Sequence, residues 1–400
     1  MTEKTFRGLG PIEFEGVRGV GTMRVDFEPG QQVYALIGEN GVGKTKFLEC
    51  LFATLLSSHQ YSKRLDTWGL GPDRYCLPYG KTTKTILIRL GILDSKISNE
   101  TSAEEKIELM KLTDLPYEHF SPFVYLAANE RGIIQNKNSN GTTLLGTWEA
   151  RRYTYLSEFI YLFVLENGRD KIKSLNMNTD IGKWLVLRAQ SANPYQNQED
   201  NREIEIKVLL KLLNQIDNRI DPKFLEIDGA NNVGIKIEGE KRQLSELSSG
   251  FTSLLKVIQS IIAGYGYLTN AEDLDQVQGI VLIDEIESHL HTSWQLKILP
   301  LLKRLFPNTT FVVSTHSPII ISSLAEGEAY RLQRDADGVV RGQKIPRPNQ
   351  TALVDLLQDA FGVKVNEAKL ERLANNDQQA AKAELLRWVQ EELTDGAEKP

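Results

Sequence analysis

The residues best placed to do chemistry begin at Gly38-Glu39-Asn40-Gly41-Val42-Gly43-Lys44-Thr45, an octet with the spacing G-x-x-x-x-G-K-[ST]. Gly38, Gly41 and Gly43 free the backbone so that successive amides converge on phosphate oxygens, and the helix that must follow adds a partial positive charge. In such a loop Lys44 reaches the β- and γ-phosphates and Thr45 ligates Mg²⁺. Far downstream, "IVLIDE" places Asp284 and Glu285 at the end of an apolar run. Burial there makes an uncompensated carboxylate costly, and a magnesium ion or a reacting water would offset that cost. We read Asp284 as contacting the metal directly or through its ligands, and Glu285 as the base that orients and polarises the attacking water.

Three of the five histidines, His289, His291 and His316, cluster just after these acids. The i, i+2 spacing of the first two suits helical metal ligation poorly, and no thiolates accompany them, so zinc is set aside. His316 closes "STH" at the carboxyl end of a strand, the edge where α/β sheets bind ligands, and can hydrogen-bond a γ-phosphate. A second glycine-led helix start, Ser248-Ser249-Gly250, offers hydroxyls and fresh helix amides, the chemistry of the first loop repeated. Standing alone it would read as a serine N-cap.

These residues need elements to hold them. "VYALIG" reads as a buried parallel strand entering the glycine loop, and "KTKFLECLFATLLSS" as the helix leaving it. Residues 12–28 alternate like two short strands before Pro29-Gly30, and "KTILIRLGIL" and "PFVYLAA" read as further strands. From about 130 to 220 the pattern is helical and polar. "FLEIDGANNVGIKIEGE" has the arms and turn of a hairpin. "GIVLIDE" and "TTFVVSTH" are short apolar strands separated by one helix, "HTSWQLKILPLLKRLF", which implies a buried parallel sheet. Leu254, Leu255, Ile258, Ile261 and Ile262 share a helical face that anchors the helix after Gly250 and leaves its start outward. Amphipathic helices "ALVDLLQDAFG" and "QQAAKAELLRWVQEEL" close the chain.

The totals bound the answer. Four hundred residues, 41% hydrophobic and 25% charged, describe a globular chain of one elaborated domain or two to three domains. A formal charge of −6 supplies no bulk attraction to DNA or RNA, though a local basic groove could hide within it. Cys50 and Cys76 are the only cysteines, which argues against a zinc or disulfide framework and for a cytoplasmic location. No leader-like apolar core or membrane-length apolar run occurs.

The series "GENGVGKT", "LSSG", "LIDE" and "STHSP" resembles the Walker A, signature, Walker B and switch-histidine order of ATP-binding-cassette ATPases. The likeness is to the branch that includes structural-maintenance-of-chromosomes proteins and prokaryotic relatives. It implies an α/β fold, a P-loop core with a mixed sheet flanked by helices, an N-terminal antiparallel β-subdomain, a helical insert and C-terminal helices. The expected parts are residues 1–130 and 223–345 for the two halves of the core, 131–222 for the insert and 346–400 for the C-terminal helices. In that family the signature of one protomer closes on ATP held by another. The resemblance therefore implies that Ser248, Ser249 and Gly250 contact the γ-phosphate in trans, with ATP and Mg²⁺ at the interface of a homodimer or higher homo-oligomer. Ser249 and Phe251 depart from the LSGGQ pattern, as the chromosome-maintenance branch commonly does. "ESHLH" is similar to the D-loop region of overcoming-lysogenisation-defect ATPases. Asn129 and Arg131 are candidate sensors, and Arg18 a weaker nucleotide contact.

Three functions follow. The favoured one is a regulatory or mechanical ATPase similar to subunits of Septu-type defence systems, with a nuclease or toxin partner supplying the effector chemistry. A transporter nucleotide-binding subunit is disfavoured by the polar helical insert and by "HLH". A self-contained nuclease would need acids such as Asp335 and Asp337, but "RDADG" reads as a hairpin turn.

Overall fold

The computed structural model describes residues 9–17, 19–65, 88–90, 119–129, 145–164, 172, 174–177, 179–361 and 387. Arg18, Arg131, Cys76 and the "QQAAKAELLRWVQEEL" segment, apart from Arg387, lie outside these residues.

Three short apolar strands form the centre: β3 (Val33–Ile37), β9 (Ile280–Ile283) and β10 (Thr310–Thr315). Strand β10 lies between the other two and pairs parallel to both. Strand β5 (Phe123–Leu126) adds parallel to β9. Alternate side chains of these strands enter two separate apolar clusters. Val33, Ala35 and Ile37 join one and Tyr34 and Leu36 the other, just as Val281 and Ile283 part from Ile280 and Leu282. A sheet buried on both faces needs residues that are apolar without alternation, which is what these runs supply.

On the other side of β3 the sheet continues through β11 (Ala329–Arg334), parallel to β3, and β12 (Val340–Lys344), antiparallel to β11. Then come β2 (Gly21–Asp26), parallel to β12, β1 (Pro11–Val17) and β4 (Ile88–Leu90). The antiparallel N-terminal strands thus extend the central sheet, giving among the described residues one nine-stranded mixed sheet in the order β4-β1-β2-β12-β11-β3-β10-β9-β5.

Helix α1 (Lys44–Ser58) follows β3 and packs Phe47, Leu51 and Phe52 into one cluster, and the short α2 (Gln60–Leu65) comes next. Among the described residues, the helices α3 (Trp148–Val164), α4 (Ile181–Ser191) and α5 (Glu203–Ile216) precede a small antiparallel sheet of β6 (Ile220–Ile227), β7 (Val233–Ile237) and β8 (Glu240–Gln243). That sheet contains the expected hairpin and delivers the chain to α6 (Ser249–Leu268). Leu254, Leu255, Ile258, Ile261 and Ile262 are each at most 1% exposed, as their shared face requires. Helices α4 and α5 share the apolar cluster of α6 and β3, so both pack directly on the core of the central sheet.

The run read as one helix after Leu290 is two: α7 (Thr292–Gln295) and α8 (Ile298–Leu305). Pro300 explains the break. In an unbroken helix its ring would clash with the carbonyl four residues earlier, at Leu296, whereas in the first turn of α8 its missing N–H costs nothing. The Asp335 and Asp337 pair does lie in the turn between β11 and β12, where Arg341 bonds Asp335 at 2.7 Å and Asp337 at 2.7 Å. The final described helix is α10 (Leu353–Phe361), preceded by the short α9 (Pro318–Ile321).

Candidate nucleotide site

The loop between β3 and α1 takes left-handed backbone at all three glycines, with φ of 148° at Gly38, 81° at Gly41 and 118° at Gly43. At Gly38 glycine is required on steric grounds too, and at Gly43 an added Cβ would crowd Met23 and Val20. A Cβ on Gly38 would sit 2.7 Å from the carbonyl oxygen of Leu332, and one on Gly43 would sit 2.9 Å from Met23 Cε. The loop is thereby pressed between β11 and the N-terminal strands, and α1 starts at Lys44 with no side-chain cap on its first amides. Uncapped amides at a helix start are the donors an anion needs.

Lys44 is 5% exposed, and its Nζ donates to the carbonyls of Gly38 and Glu39, each at 2.9 Å. Burial pulls its pKa down to about 8, against the opposing pull of Asp284, Glu287 and Glu285. Thr45 Oγ1 donates to both carboxylate oxygens of Asp284, at 3.0 and 2.9 Å. Asp284 also accepts from Ser314 Oγ at 2.5 Å, and the Glu285 N–H donates to that same hydroxyl oxygen at 2.7 Å. Ser314 therefore links the two acids across adjacent strands. Glu285 has φ of 46°, a left-handed conformation unusual for a side-chain-bearing residue and one that turns the chain sharply out of β9. The Ser288 hydroxyl donates to its carboxylate at 3.2 Å.

Burial chiefly, with the nearby Lys44 ammonium, holds His316 below the ordinary imidazole pKa. A neutral ring keeps one donor and one acceptor nitrogen. The backbone N–H of His316 donates to Glu287 Oε1 at 2.6 Å, which ties the end of β10 to the turn after Glu285.

A cavity of about 350 Å³ gathers these groups: Asn40, Gly41, Gly43, Lys44, Thr45, Glu285, Ser314 and His316 all line it, together with Gly19 and Val20. The three sequence-distant segments expected to meet do meet here. Ser248, Ser249 and Gly250 are not among its lining residues. They form the start of α6, with Ser248 and Ser249 exposed and Gly250 half-buried, and the Ser248 hydroxyl accepts from the Phe251 N–H at 3.4 Å. A Cβ on Gly250 would come within 3.3 Å of Trp294, so that glycine leaves room for the ring of α7. Asn129 is exposed beyond β5. His289 is exposed, and His291 caps α7 by accepting from the Ser293 N–H; no cluster of three metal-ligating side chains occurs among the described residues.

Sequence reasoning missed Ser314, Gly19 and Val20. Ser314 stands beside Asp284 only because Val313 pairs with Ile283 in the parallel register of β10 and β9. Gly19 and Val20 are neighbours of Arg18, the one N-terminal residue the sequence did single out.

A glycine loop between strand and helix, a lysine in its cradle and a threonine on a strand-end aspartate define a P-loop nucleotide-binding domain. The chain belongs to the family described as "AAA domain, putative AbiEii toxin, Type IV TA system", whose model matches residues 101–322. It is 26% identical over 366 residues to "Septu protein PtuA" of Bacillus mycoides (strain KBAB4), covering 89% of this chain and 45% of that protein. It is 32% identical over 139 residues to "Retron Vc95 probable ATPase" of Vibrio cholerae serotype O1 biovar El Tor, covering 34% of this chain and 27% of that protein. The chain thus spans less than half the length of these curated relatives. A solved SMC head bound to the C-winged helix domain of ScpA aligns over 85% of this chain and 98% of its own, with 13% identity and a TM-score of 0.41. No described helix is long and apolar enough to cross a membrane.

Proposed function

We propose that this chain binds and hydrolyses ATP in the cavity between Lys44 and His316. The observation that carries the reading is the Thr45–Asp284 contact, which brings the glycine loop and the strand-end acids to one point. Loop amides and Lys44 take the phosphates, Lys44 exchanging its carbonyl partners for the anionic β- and γ-oxygens. The donor set fits Mg²⁺, a hard cation that prefers hydroxyl and carboxylate oxygens, and Thr45 and Asp284 would hold it. The ion would neutralise charge on the phosphate oxygens. Glu285 lines the same cavity and serves as the base toward water. Neutral His316 donates to the γ-phosphate.

The exposed tip of α6 supports a composite site. Ser248, Ser249 and Gly250 present amides and hydroxyls outward, and a second copy of the chain would bring this tip over the bound triphosphate. ATP then acts as part of a homodimer interface, favouring association while bound and releasing it on hydrolysis. The kinship to the Septu and retron proteins supports a role as the ATPase subunit of a prokaryotic anti-phage defence module, with a partner effector such as a nuclease. Lys44→Ala tests the nucleotide reading: fluorescent ATP should no longer bind, while the melting temperature stays near that of the parent. Unchanged affinity would overturn it.

A further inference from the structure

The segment from Glu285 to Gln295 leaves β9 beside the two acids and ends in α7, whose Trp294 meets the tip of α6. It is tied along its length to the end of β10. The Ile286 N–H donates to the Ser314 carbonyl at 3.1 Å, the His316 N–H to Glu287 Oε1 at 2.6 Å, and the Ser317 hydroxyl to Gln295 Oε1 at 2.7 Å. Left-handed backbone at Glu285 and His289, with φ of 46° and 63°, brackets the turn that makes the first two ties. Such backbone, at residues other than glycine, persists only where the surroundings over-determine the chain.

The Gln295 carboxamide can face only one way. A carbonyl oxygen only accepts, so the amide nitrogen must turn to the Leu290 carbonyl, 3.0 Å away, which leaves Oε1 for Ser317. The Ser317 hydroxyl in turn accepts from the Ile320 N–H at 3.3 Å and so caps α9. Both ends of the carboxamide are thereby spent on fixing α7 against the residue that follows His316. The neighbouring Trp294 faces α6. A Cβ on Gly250 would lie 3.3 Å from Trp294 Cδ1 and 3.6 Å from its Nε1, so the indole lies flush on the first turn of that helix. Gly250 is an ordinary helical residue of α6, and its missing side chain serves the ring, not the backbone. Contacts packed this closely pass on displacements instead of absorbing them.

We propose that Trp294 and Gln295 are positioning residues for the Ser248–Gly250 tip: through them α7 sets where the tip stands according to the position of His316 at the end of β10. The inference rests on the nucleotide reading above, in which His316 donates to the γ-phosphate. Filling a chain's own cradle then readies the tip that the same chain offers to a second copy. Neither Trp294 nor Gln295 is among the residues lining the cradle cavity, so their part is played on the tip and not on the nucleotide.

The test is amide hydrogen exchange of the full chain with and without Mg²⁺ and a non-hydrolysable ATP analogue, in Ser249→Arg protein kept dilute enough to be a monomer by native mass. Any change at the tip then arises within one chain. The analogue should protect the cradle amides and slow exchange at Phe251, Thr252 and Ser253 about fivefold or more, the lower end of ordinary coupling between two sites. Gln295→Leu and Trp294→Ala should each keep the protection of the cradle and lose the response of the tip, whereas Trp294→Phe, which retains a flat ring, should keep both. Should either of the first two prevent folding, the other reads the same loss. A tip that ignores the analogue while the cradle is protected, or a response that survives Gln295→Leu and Trp294→Ala, overturns the proposal and leaves the nucleotide site standing. A cradle without protection overturns the nucleotide reading and this proposal with it.

Discussion

At the scale of single residues, the candidate site turns on a serine. The Ser314 hydroxyl, at the first position of the "STHSP" segment, donates to Asp284 and accepts from the Glu285 N–H, so it holds the Asp284 carboxylate and the Glu285 backbone together. Ser314→Ala should lower ATP turnover about tenfold or more, as loss of a hydrogen bond behind a metal ligand usually does, with ATP affinity less affected. Steady-state phosphate release beside equilibrium nucleotide binding checks this. A second residue-scale expectation concerns acid stability. His59 and His119 are buried with ring centroids 5.1 Å apart. Burial holds His119 down to about 4 and His59 well below its ordinary 6.5, with the Arg152 guanidinium and the His119 ring adding to the depression at His59. Both folded values lie below the unfolded one, so the unfolded chain takes up more protons. This contribution to stability is intact above pH 6.5 and is lost progressively as the pH falls from there toward about 4. Urea unfolding midpoints across that range should decline, and His59→Phe should decline less steeply.

At the scale of elements, much was legible in the sequence because the elements obey local rules. Strands β3 and β9, and Phe311 to Val313 of β10, are apolar without alternation and are buried on both faces. The arms around Asn231 form a hairpin, and Asp337-Gly338 turns β11 into β12. Other features depend on register or on partners far along the chain. Ser314 gains its meaning only from the pairing of β10 with β9, which residue types do not specify. The aliphatic face of α6 from Leu254 to Ile262 is plain in the sequence, but the burial of its polar residues Thr252, Ser253, Lys256, Gln259 and Ser260 is not. The two-helix break was open to inspection at Pro300 but was outweighed by the strong apolar periodicity of its flanks.

Helices α4 and α5 are joined by a buried ion cluster. Glu205, 1% exposed, accepts from Arg188 Nε at 2.8 Å and from Arg202 Nε at 2.7 Å, and Arg202 also reaches Asn270 at 2.6 Å. Glu205→Gln would leave two buried guanidinium groups with no countercharge at that position. The expected cost is about 3–5 kcal/mol, read as a lower denaturation midpoint in guanidinium.

At the scale of the whole molecule, the account joins two places that one chain keeps apart: a triphosphate cradle at Gly38–Thr45 and an exposed serine-glycine helix tip at Ser248–Gly250. Ser249→Arg, on the exposed start of α6, should leave ATP affinity of the monomer unchanged and prevent nucleotide-driven association. The most direct measurement is the native mass of Glu285→Gln, which retains the cradle and lacks the base, with and without Mg·ATP. The account predicts a monomer-to-dimer shift on adding Mg·ATP that Lys44→Ala and Ser249→Arg each abolish. A Glu285→Gln protein that binds ATP yet keeps the same mass with and without it would contradict the composite site.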